Sequence, residues 1–324
     1  MSDMTWNPDF GFDGTTLVYG YGAEVSDTAS NKLCWSIMIP AYNPGPALVD
    51  AVASAQAATK NRTDVEIVVV DDASTTPVEL QQSDGAVQLV NHVENRGAVA
   101  NFNRSISLAR GEFIHLLHAD DVVHRGFYES MERGFREHGA ALGSCRVERI
   151  DAKGRRIGLN RSEADGAGIW VDALRVLAVS NRLPAPGIAV RRSVYERLGV
   201  FDVSLNHAAD WDMWVRIAAV APIYYEPEVL AAYRIHEGQH TTSVAASGDN
   251  IQQAIEVIDR LSDRVSDPAI ANSLQIKALA YSGAYAARAA AQAARNGQPK
   301  IAAKQSSMAV RCFMRGARKA ALGH

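Results

Sequence analysis

The chain of 324 residues lacks the features of a disulfide-stabilised or membrane-spanning protein. Its only cysteines, Cys34, Cys145 and Cys312, lie far apart, and none forms a CxxC pair. This spacing argues against a disulfide framework or a zinc cluster and suits a reducing compartment. No apolar run approaches the roughly 18 residues that cross a bilayer, and no signal peptide is visible at the N-terminus. We therefore expect a cytoplasmic protein, or one bound peripherally at the inner face of the cell membrane.

Acidic residues are missing from the C-terminal end of the chain. From Pro268 to His324 there is no Asp or Glu, whereas nine residues are Lys or Arg. Residues 1–267 hold the other 24 basic residues and all 36 acidic ones. A basic amphipathic helix that contacts an anionic membrane surface is one interpretation of this tail. A helical hairpin packed on the acidic part of the chain, or a homodimer contact, is the alternative. Basic residues clustered in an alanine-rich tail are not typical of a nucleic-acid interface, so we expect no nucleic-acid partner.

Short apolar runs alternate with helical patterns from Leu33 onward. The runs "WSIMI", "VEIVVV", "AVQLVN" and "EFIHLL" predict buried strands, and residues 46–59 and 97–111 predict helices between them. This order is typical of an α/β protein with a parallel sheet that helices cover on both faces. We expect an N-terminal extension over residues 1–32, the α/β domain over 33–245 and a basic helical region over 246–324.

Three of the predicted strands end in polar clusters, which read "PAYN", "DDAS" and "HADD". In open α/β sheets, ligands bind beyond the carboxyl ends of the strands. We therefore expect the three clusters to converge on one crevice. Asp71 and Asp72, in the second cluster, can accept hydrogen bonds from a ribose hydroxyl or a base N–H. A capping turn before the next helix is the alternative interpretation of these two residues.

The third cluster places Asp120 beside Asp121, with His118 two positions earlier. Hard divalent cations such as Mg²⁺ prefer carboxylate oxygens, and substrate phosphates often complete their coordination. Two adjacent carboxylates repel each other unless a positive charge lies between them. An N-cap for the helical pattern that follows is the alternative, but a cap needs only one aspartate. The pattern favours a metal site.

Two further groups of polar residues lie nearer the C-terminus. Asp210 and Asp212 are two positions apart and cannot share a helix face. One of them can face the crevice as a general base, whereas an N-cap is the alternative role. The segment "YRIHEGQH" supplies His236 and His240, which can ligate a metal or contact phosphate and are otherwise structural. Together these residues predict chemistry on a phosphorylated or nucleotide-activated substrate.

Six segments in a fixed order resemble the motifs of family 2 glycosyltransferases with the GT-A fold. They lie between residues 33 and 242 and read "WSIMIPAYNPG", "VEIVVVDDAS", "ENRGAVANFNRSISLARGEFIHLLHADD", "AVRRSVYERLGVFD", "ADWDMWVRIA" and "AAYRIH". The resemblance implies a Rossmann-like mixed sheet flanked by helices, with the C-terminal helical region as an extension. It also implies a nucleotide-diphosphosugar donor, Mn²⁺ or Mg²⁺, a glycan or lipid-linked acceptor, and inversion at the anomeric carbon.

The resemblance further implies roles for single residues. Asp120 matches the metal-binding aspartate of the family's DxD motif, with Asp121 next to it and His236 able to approach the metal or the diphosphate. Asp72 matches the acid that contacts the base of the nucleotide, and Asp210 matches the catalytic base. The other matched donor-binding positions are Pro40, Ala41, Tyr42, Asn43, Asp71, Asn95, Gly97, Asn103, His118 and Ala119.

Three positions depart from the family's pattern. His118 stands where the first aspartate of DxD is usual, Ala209 where a glutamate precedes the base, and Phe102 where an arginine is common. Asp120 and Asp210 are retained, so we predict a metal-dependent transferase of cell-envelope glycan, glycolipid or polysaccharide synthesis. A catalytically impaired sugar-nucleotide-binding protein is one alternative. A sugar-1-phosphate nucleotidyltransferase is the other, although the loop "AYNPGPALVD" lacks the basic residue that such an enzyme should carry there.

Overall fold

The computed structural model describes residues 12–13, 16–17, 33–80, 87–236 and 247–322. Its strands are β1 Phe12–Asp13, β2 Thr16–Leu17, β3 Trp35–Ala41, β4 Val65–Asp71, β5 Val87–Asn91, β6 Phe113–Leu116, β7 Val122–Val123, β8 Leu142–Ile150, β9 Arg156–Leu159, β10 Gly168–Ile169, β11 Ile188–Arg191 and β12 Ile223–Arg234. Its α-helices are α1 Ala47–Ala58, α2 Ala98–Leu108, α3 Phe127–His138, α4 Ala173–Leu177, α5 Arg192–Leu198, α6 Ala209–Ala218, α7 Asp249–Asp259, α8 Pro268–Arg295 and α9 Pro299–Leu322.

These elements group into two compact units. The first comprises the described residues within Met1–Val171, Leu183–Phe201 and Val220–Ile235, and the second those within Asp172–Arg182, Asp202–Ala219 and His236–His324. Helices α4 and α6 therefore belong to the second unit, although the sequence suggests one domain over 33–245. The predicted boundaries at 32/33 and 245/246 stay predictions, because residues 18–32 and 237–246 lie outside the described residues.

A mixed sheet forms the centre of the first unit. Its strand order is β10-β12-β8-β11-β6-β3-β4-β5, with β7 added beside β12 and β9 beside β8. Strands β6, β3, β4 and β5 are parallel, as their apolar runs predict. Strand β11 is antiparallel to both of its neighbours, β6 and β8, which makes the sheet mixed. The prediction of a helix-flanked mixed α/β fold is confirmed.

Apolar side chains explain why the first four predicted strands pair in the middle of the sheet. All seven residues of β3 are buried, and six of the seven residues of β4 are. Trp35 lies at the start of β3 with its ring against Phe113, Tyr128 and Phe135, at centroid distances of 5.2, 5.0 and 6.1 Å. Burying aromatic rings of this size stabilises a core strongly. The polar ends of these strands are therefore fixed by a rigid support.

Helix α2 ends slightly earlier than its sequence pattern predicts. The pattern continues to Gly111, but the backbone leaves the helical region at Ala109, which has φ −66° and ψ 130°. Ser36 explains the early end, because its hydroxyl accepts the N–H groups of Arg110 and Gly111 at 3.0 and 2.7 Å. These bonds hold the segment at the edge of β3 and direct it into β6.

The second unit contains the C-terminal helices. Helix α8 begins at Pro268, where Asp267 caps it by accepting the N–H groups of Ala269 and Ile270. Helices α8 and α9 form the predicted hairpin on either side of Gly297, which has a φ of 68°. Gly283 lets the ring of Phe313 approach closely, since a Cβ at this glycine would lie 2.9 Å from the ring. The basic helical C-terminal region is confirmed.

Candidate active site

The turn after β3 is fastened to the turn after β4. Asn43 and Ala73 have φ values of 46° and 57°, in the left-handed region. The N–H of Asn43 donates to Ser74 Oγ at 2.7 Å, and the N–H of Thr75 donates to Asn43 Oδ1 at 2.9 Å. Asparagine tolerates this backbone conformation better than most residues and uses its amide to bond nearby backbone. Asn43 therefore shapes the first loop at the strand ends.

The other predicted residues of this loop lie at the strand end itself. Pro40 and Ala41 are the last two residues of β3. Tyr42 follows them in the chain and is 49% exposed. An exposed aromatic ring beside an ordered turn can stack on a nucleotide base. These three positions fit a nucleotide-contact turn, and their ligand contacts stay a prediction.

Asp71 and Asp72 are both buried, and each carboxylate holds a loop. Asp71 accepts the N–H of Ser74 at 3.1 Å. Asp72 accepts the N–H of Arg96 at 3.0 Å and the N–H of Gly97 at 2.8 Å. The next helix along the described chain is α2, whose N-cap is Gly97, so Asp72 bonds the start of that helix and the capping alternative stays open. The prediction that Asp72 contacts the base remains, but its carboxylate is already shared with backbone donors.

The loop before α2 has two supports. Asn95 Oδ1 accepts the N–H of Gly97 at 3.1 Å, and Gly97 has a φ of 88° that favours glycine. Within α2, the buried Asn101 donates from Nδ2 to Val70 O at 2.9 Å. This contact of Asn101 is not predicted from the sequence. The available signal was an asparagine among the buried positions of an amphipathic helix.

Asn103 makes a structural contact. Its Nδ2 donates to Phe201 O at 2.9 Å, and its Oδ1 accepts the N–H of Phe201 at 3.0 Å. Both ends of the amide are therefore bonded to one backbone position. The prediction that Asn103 lines the donor pocket stays a prediction, and any ligand would share the amide with Phe201.

The turn that carries Asp120 and Asp121 is not a helix cap. Strand β6 ends at Leu116, β7 follows at Val122–Val123, and α3 begins only at Phe127 with Gly126 as its N-cap. The alternative that one of these aspartates caps the helix is therefore wrong. The chain instead places both carboxyl groups, with Ala119 before them, in a turn between two strands.

Asp121 is completely buried and only half satisfied. Its Oδ1 accepts the N–H of Arg234 at 2.8 Å, whereas its Oδ2 has no hydrogen-bond partner among the described residues. That second oxygen lies 3.8 Å from Nδ1 of His118. Burial, with a further contribution from the charge of Asp120, raises the pKa of Asp121 well above its usual value. A buried, unsatisfied carboxylate oxygen requires a counterpart, and a cation would supply one.

Arg234 fixes this turn from the end of β12. Its Nε donates to Asp120 O at 2.7 Å, and its Nη2 donates to Asp50 Oδ2 at 2.9 Å. The side chain of Arg234 is only 4% exposed. The sequence alone does not predict this role for Arg234. The signal was a charged residue directly after the apolar run VLAAY at the end of β12.

Ligand atoms of His118, Asp120 and Asp121 all lie within 4.8 Å of one another. The imidazole of His118 stacks on Phe102, with 5.1 Å between ring centroids and 10° between ring planes. One nitrogen donor and two carboxylates, one with a buried unsatisfied oxygen, are a suitable set for a divalent transition metal. The residues present therefore fit the metal that the resemblance implies.

The second unit carries Asp210 and Asp212 on α6, in different environments. Asp210 is half-buried at the second helical position, and its Oδ2 accepts Nδ2 of Asn181 at 2.8 Å. The N-cap of this helix is Ala208, so the capping alternative for Asp210 is wrong. Asp212 is buried and forms ion pairs with three arginines, namely Arg216, Arg260 and Arg264. Asp212 thus stabilises the unit, and Asp210 is the candidate for chemistry.

His236 also belongs to the second unit, where it is half-buried. Its predicted approach to a metal or diphosphate stays a prediction, as does the catalytic role of Asp210. His240 lies outside the described residues. Within the first unit, by contrast, the strand-end loops that hold Asn43, Asp71 and Asp72 are joined to one another by hydrogen bonds.

A mixed sheet with polar loops at the carboxyl ends of β3, β4 and β6 is the arrangement of a nucleotide-binding α/β protein. The family model described as glycosyl transferase family 2 matches residues 36–199. The chain therefore belongs to glycosyltransferase family 2. That match contains every strand-end loop described above.

Related proteins agree with this family. An uncharacterized glycosyltransferase of Rickettsia typhi is 26% identical over 211 residues, which cover 64% of this chain and 66% of that protein. A pre-mycofactocin glycosyltransferase of Mycobacterium tuberculosis is 27% identical over 212 residues, covering 61% and 42% of the two chains. The chain thus spans just under two thirds of the Rickettsia relative and a smaller share of the mycobacterial one.

Solved structures share the fold. TarS 1–349 of S. aureus in complex with UDP-GlcNAc matches with a TM-score of 0.62 and 16% identity, over 85% of this chain and 91% of that one. A mannosyltransferase of Pyrobaculum calidifontis in complex with GDP-Man and Mn²⁺ matches with a TM-score of 0.51 and 18% identity, over 87% and 86%. At this identity, the matches establish a common GT-A-like fold.

Proposed function

We propose that this protein is an inverting, metal-dependent glycosyltransferase that moves a sugar from a nucleotide-diphosphosugar to an acceptor hydroxyl. The observation that carries the proposal is the turn at Asp120 and Asp121, with its buried unsatisfied oxygen, next to strand-end loops that are hydrogen-bonded together. Membership of family 2 and relatives that carry the name glycosyltransferase support it.

The first unit supplies the donor site in this proposal. Tyr42 and Asn43 contact the nucleotide, Asp72 and its neighbour Asp71 bind the base or ribose, and Asn95 and Gly97 line the pocket. Asp120 and His118 would hold Mn²⁺ or Mg²⁺, with Asp121 behind them. Such an ion supplies charge neutralisation for the diphosphate that leaves. The solved neighbours bound to UDP-GlcNAc and to GDP-Man with Mn²⁺ support a donor of this class.

Asp210 is the proposed catalytic base. Its carboxylate accepts the proton of the acceptor hydroxyl as that oxygen forms a bond to the anomeric carbon. The bond between the anomeric carbon and the diphosphate oxygen breaks on the opposite side, and its electron pair leaves with the nucleoside diphosphate. Asn181 holds Asp210 through its Oδ2 and so limits the rotation of the carboxylate. We place the acceptor among cell-envelope glycans or lipid-linked sugars.

Two matched pairs of variants test this function. Asp120→Asn and Asp210→Asn should each lower sugar transfer and donor hydrolysis by roughly a hundredfold or more. The controls are Glu129→Gln in the first unit and Asp263→Asn in the second, both at exposed positions. The assay uses UDP-, GDP- and dTDP-sugars with Mn²⁺ or Mg²⁺, after a thermal-shift screen has identified the donor that stabilises the protein.

The outcome also separates the alternatives. Full activity in both Asn variants would overturn the mechanism. Nucleotide binding with no turnover in the wild type would indicate a sugar-nucleotide-binding protein. Formation of a nucleotide-sugar from a sugar-1-phosphate would indicate a nucleotidyltransferase, although Tyr42 to Pro46, the loop after β3, contains no basic residue.

A further inference from the structure

Three basic residues of α9 form contacts with α7 and α8 in the second unit. Arg315 Nη2 contacts Asp259 Oδ2 of α7 at 2.6 Å, and Arg311 donates to Gln252 of the same helix. Lys319 Nζ donates to Gln275 Oε1 at 2.8 Å. These three arginine and lysine side chains stabilise the packing of the helices. The other basic residues of α8 and α9 require a different explanation.

The exposed side of α8 combines basic and aromatic side chains. At about 100° per residue, Lys277, Tyr281, Arg288 and Arg295 fall within an arc of about 40° on the helix surface. The three basic residues are exposed, and Tyr281 is 44% exposed. Tyr285 lies next to this stripe and is 45% exposed. Two half-exposed tyrosines beside a basic stripe are more typical of a binding surface than of a helix face that only contacts water.

The exposed side of α9 is more apolar. Val310, Phe313 and Met314 are 57%, 47% and 68% exposed. Arg318 continues the stripe of Val310 and Met314 at a spacing of four residues, and it is also exposed. The ring of Phe313 rests on Gly283 of α8, so it lies at the seam between the two helices. We call these exposed stripes of α8 and α9 the outer face of the hairpin.

We propose that the outer face of the hairpin docks on a lipid bilayer that contains anionic phospholipids. Charge complementarity selects this occupant. No acidic residue is present on α8 or α9, so the outer face attracts negative charge over its whole length. A second copy of the same face would bring like charges together, which disfavours self-association through it.

The mixture of side chains also matches an interface between water and lipid. Lysine and arginine are attracted to an anionic membrane surface, and apolar side chains such as Val310, Phe313 and Met314 can enter the acyl boundary. Tyrosine is enriched at the level of the headgroups. Among the described residues, no helix is long and apolar enough to cross a bilayer. Docking on the surface is the mode that these helices support.

Vesicle co-sedimentation of the full chain tests the proposal. The protein should bind vesicles of phosphatidylcholine with phosphatidylglycerol, bind phosphatidylcholine vesicles weakly, and dissociate when salt is added. The combined change Lys277→Gln, Arg288→Gln, Arg295→Gln and Arg318→Gln should weaken binding at least roughly tenfold. A matched control, Lys60→Gln, Lys153→Gln, Arg155→Gln and Arg156→Gln, removes four exposed charges from the first unit and should bind as the wild type does.

A separate variant tests how much the apolar side chains contribute to vesicle binding. Val310→Ser with Met314→Ser keeps every charge and should also weaken vesicle binding, because both side chains are more than half exposed and support no core. Nucleotide binding in solution should be the same in all of these variants, so a failure of the proposed catalytic function would leave the vesicle result intact.

Three results would overturn the docking proposal. The first is that the wild type does not bind anionic vesicles, and the second is that the four outer-face substitutions leave binding unchanged. The third is a concentration-dependent dimer in analytical ultracentrifugation that Met314→Ser abolishes while vesicles are not bound, which would assign the outer face to a second copy of the chain.

Discussion

The rings of Phe102 and His118 lie parallel, 10° apart in plane, with 5.1 Å between their centroids. The two residues that depart from the family's pattern in the proposed donor site therefore contact each other. Phe102 occupies a helix position where an arginine is common and fixes the imidazole that replaces an aspartate. We interpret the two departures as one coupled change, in which a ring supports a nitrogen ligand.

This contact predicts the effect of Phe102→Leu. A stack of this kind is worth about 0.5–1.5 kcal/mol, so its loss should weaken Mn²⁺ binding roughly two- to tenfold in the presence of nucleotide. Isothermal titration calorimetry measures this affinity directly and does not depend on turnover. Phe102→Tyr retains the ring and should restore the wild-type affinity. Equal affinity in the Leu variant would show that the stack does not position His118.

Arg234→Met should destabilise the turn at Asp120 and Asp121. The guanidinium donates to Asp120 O and pairs with Asp50 from a nearly buried position. Its loss leaves the Asp120 carbonyl without this donor, and the expected cost is about 1–3 kcal/mol. Chemical denaturation should record that cost, and nucleotide-dependent Mn²⁺ binding should weaken as well. Arg155→Met, at an exposed ion pair, serves as the control. A free energy of unfolding within experimental error of the wild type would contradict this role.

Asp210→Asn and Asp212→Asn should separate catalysis from stability. Asp212 is buried against three arginines, so removing its charge should cost about 3–5 kcal/mol of unfolding free energy. Asp210 is half-buried, and its neutralisation should cost less than about 1 kcal/mol. Thermal denaturation distinguishes the two variants by their stability. At a temperature where both are folded, Asp210→Asn should lose more transfer activity than Asp212→Asn. A large loss of stability in Asp210→Asn would assign that residue to the fold.

His115 should make the protein sensitive to acid. It is completely buried between Tyr128 and Pro186, and desolvation lowers its pKa from 6.5 to about 3. Above pH 6.5 the imidazole is neutral in both the folded and the unfolded chain. Below that pH only the unfolded chain takes up the proton, so stability falls between pH 6.5 and about 3, by up to about 1.4 kcal/mol per pH unit.

His115→Gln keeps a donor for Pro186 O and an acceptor for the Tyr128 hydroxyl, but it does not titrate. The free energy of unfolding of this variant should therefore depend less on pH over the same interval. Identical slopes for the variant and the wild type would show that His115 does not account for acid sensitivity.

The sequence predicts the strands and their polar ends because both are local signals. An apolar run such as that of β4 followed directly by Asp71 and Asp72 can be recognised without knowledge of the rest of the chain. The antiparallel insertion of β11 between β6 and β8 cannot be recognised in this way, since strand neighbours depend on the whole topology.

The structural roles that the sequence does not predict depend on contacts between residues far apart in the chain. Arg234 bonds Asp120 over 114 positions, and Asn101 bonds Val70 over 31. The sequence pattern leaves Asp210 and Asp212 with the same possible roles, because the partners of Asp212, Arg260 and Arg264, come after a long gap in sequence. The stacking of Phe102 on His118 cannot be predicted from the sequence either, although both residues depart from the family's pattern.

The hydrogen bonds that join Asn43 with Ser74 and Thr75, and Asp72 with Gly97, have a consequence for ligand affinity. A loop that must become ordered when a ligand arrives loses conformational entropy at that moment, and the measured affinity falls accordingly. Here the loops at the strand ends have already lost that freedom during folding. Binding of the proposed donor should therefore carry a small entropic penalty, because these loops are preorganised before the nucleotide binds.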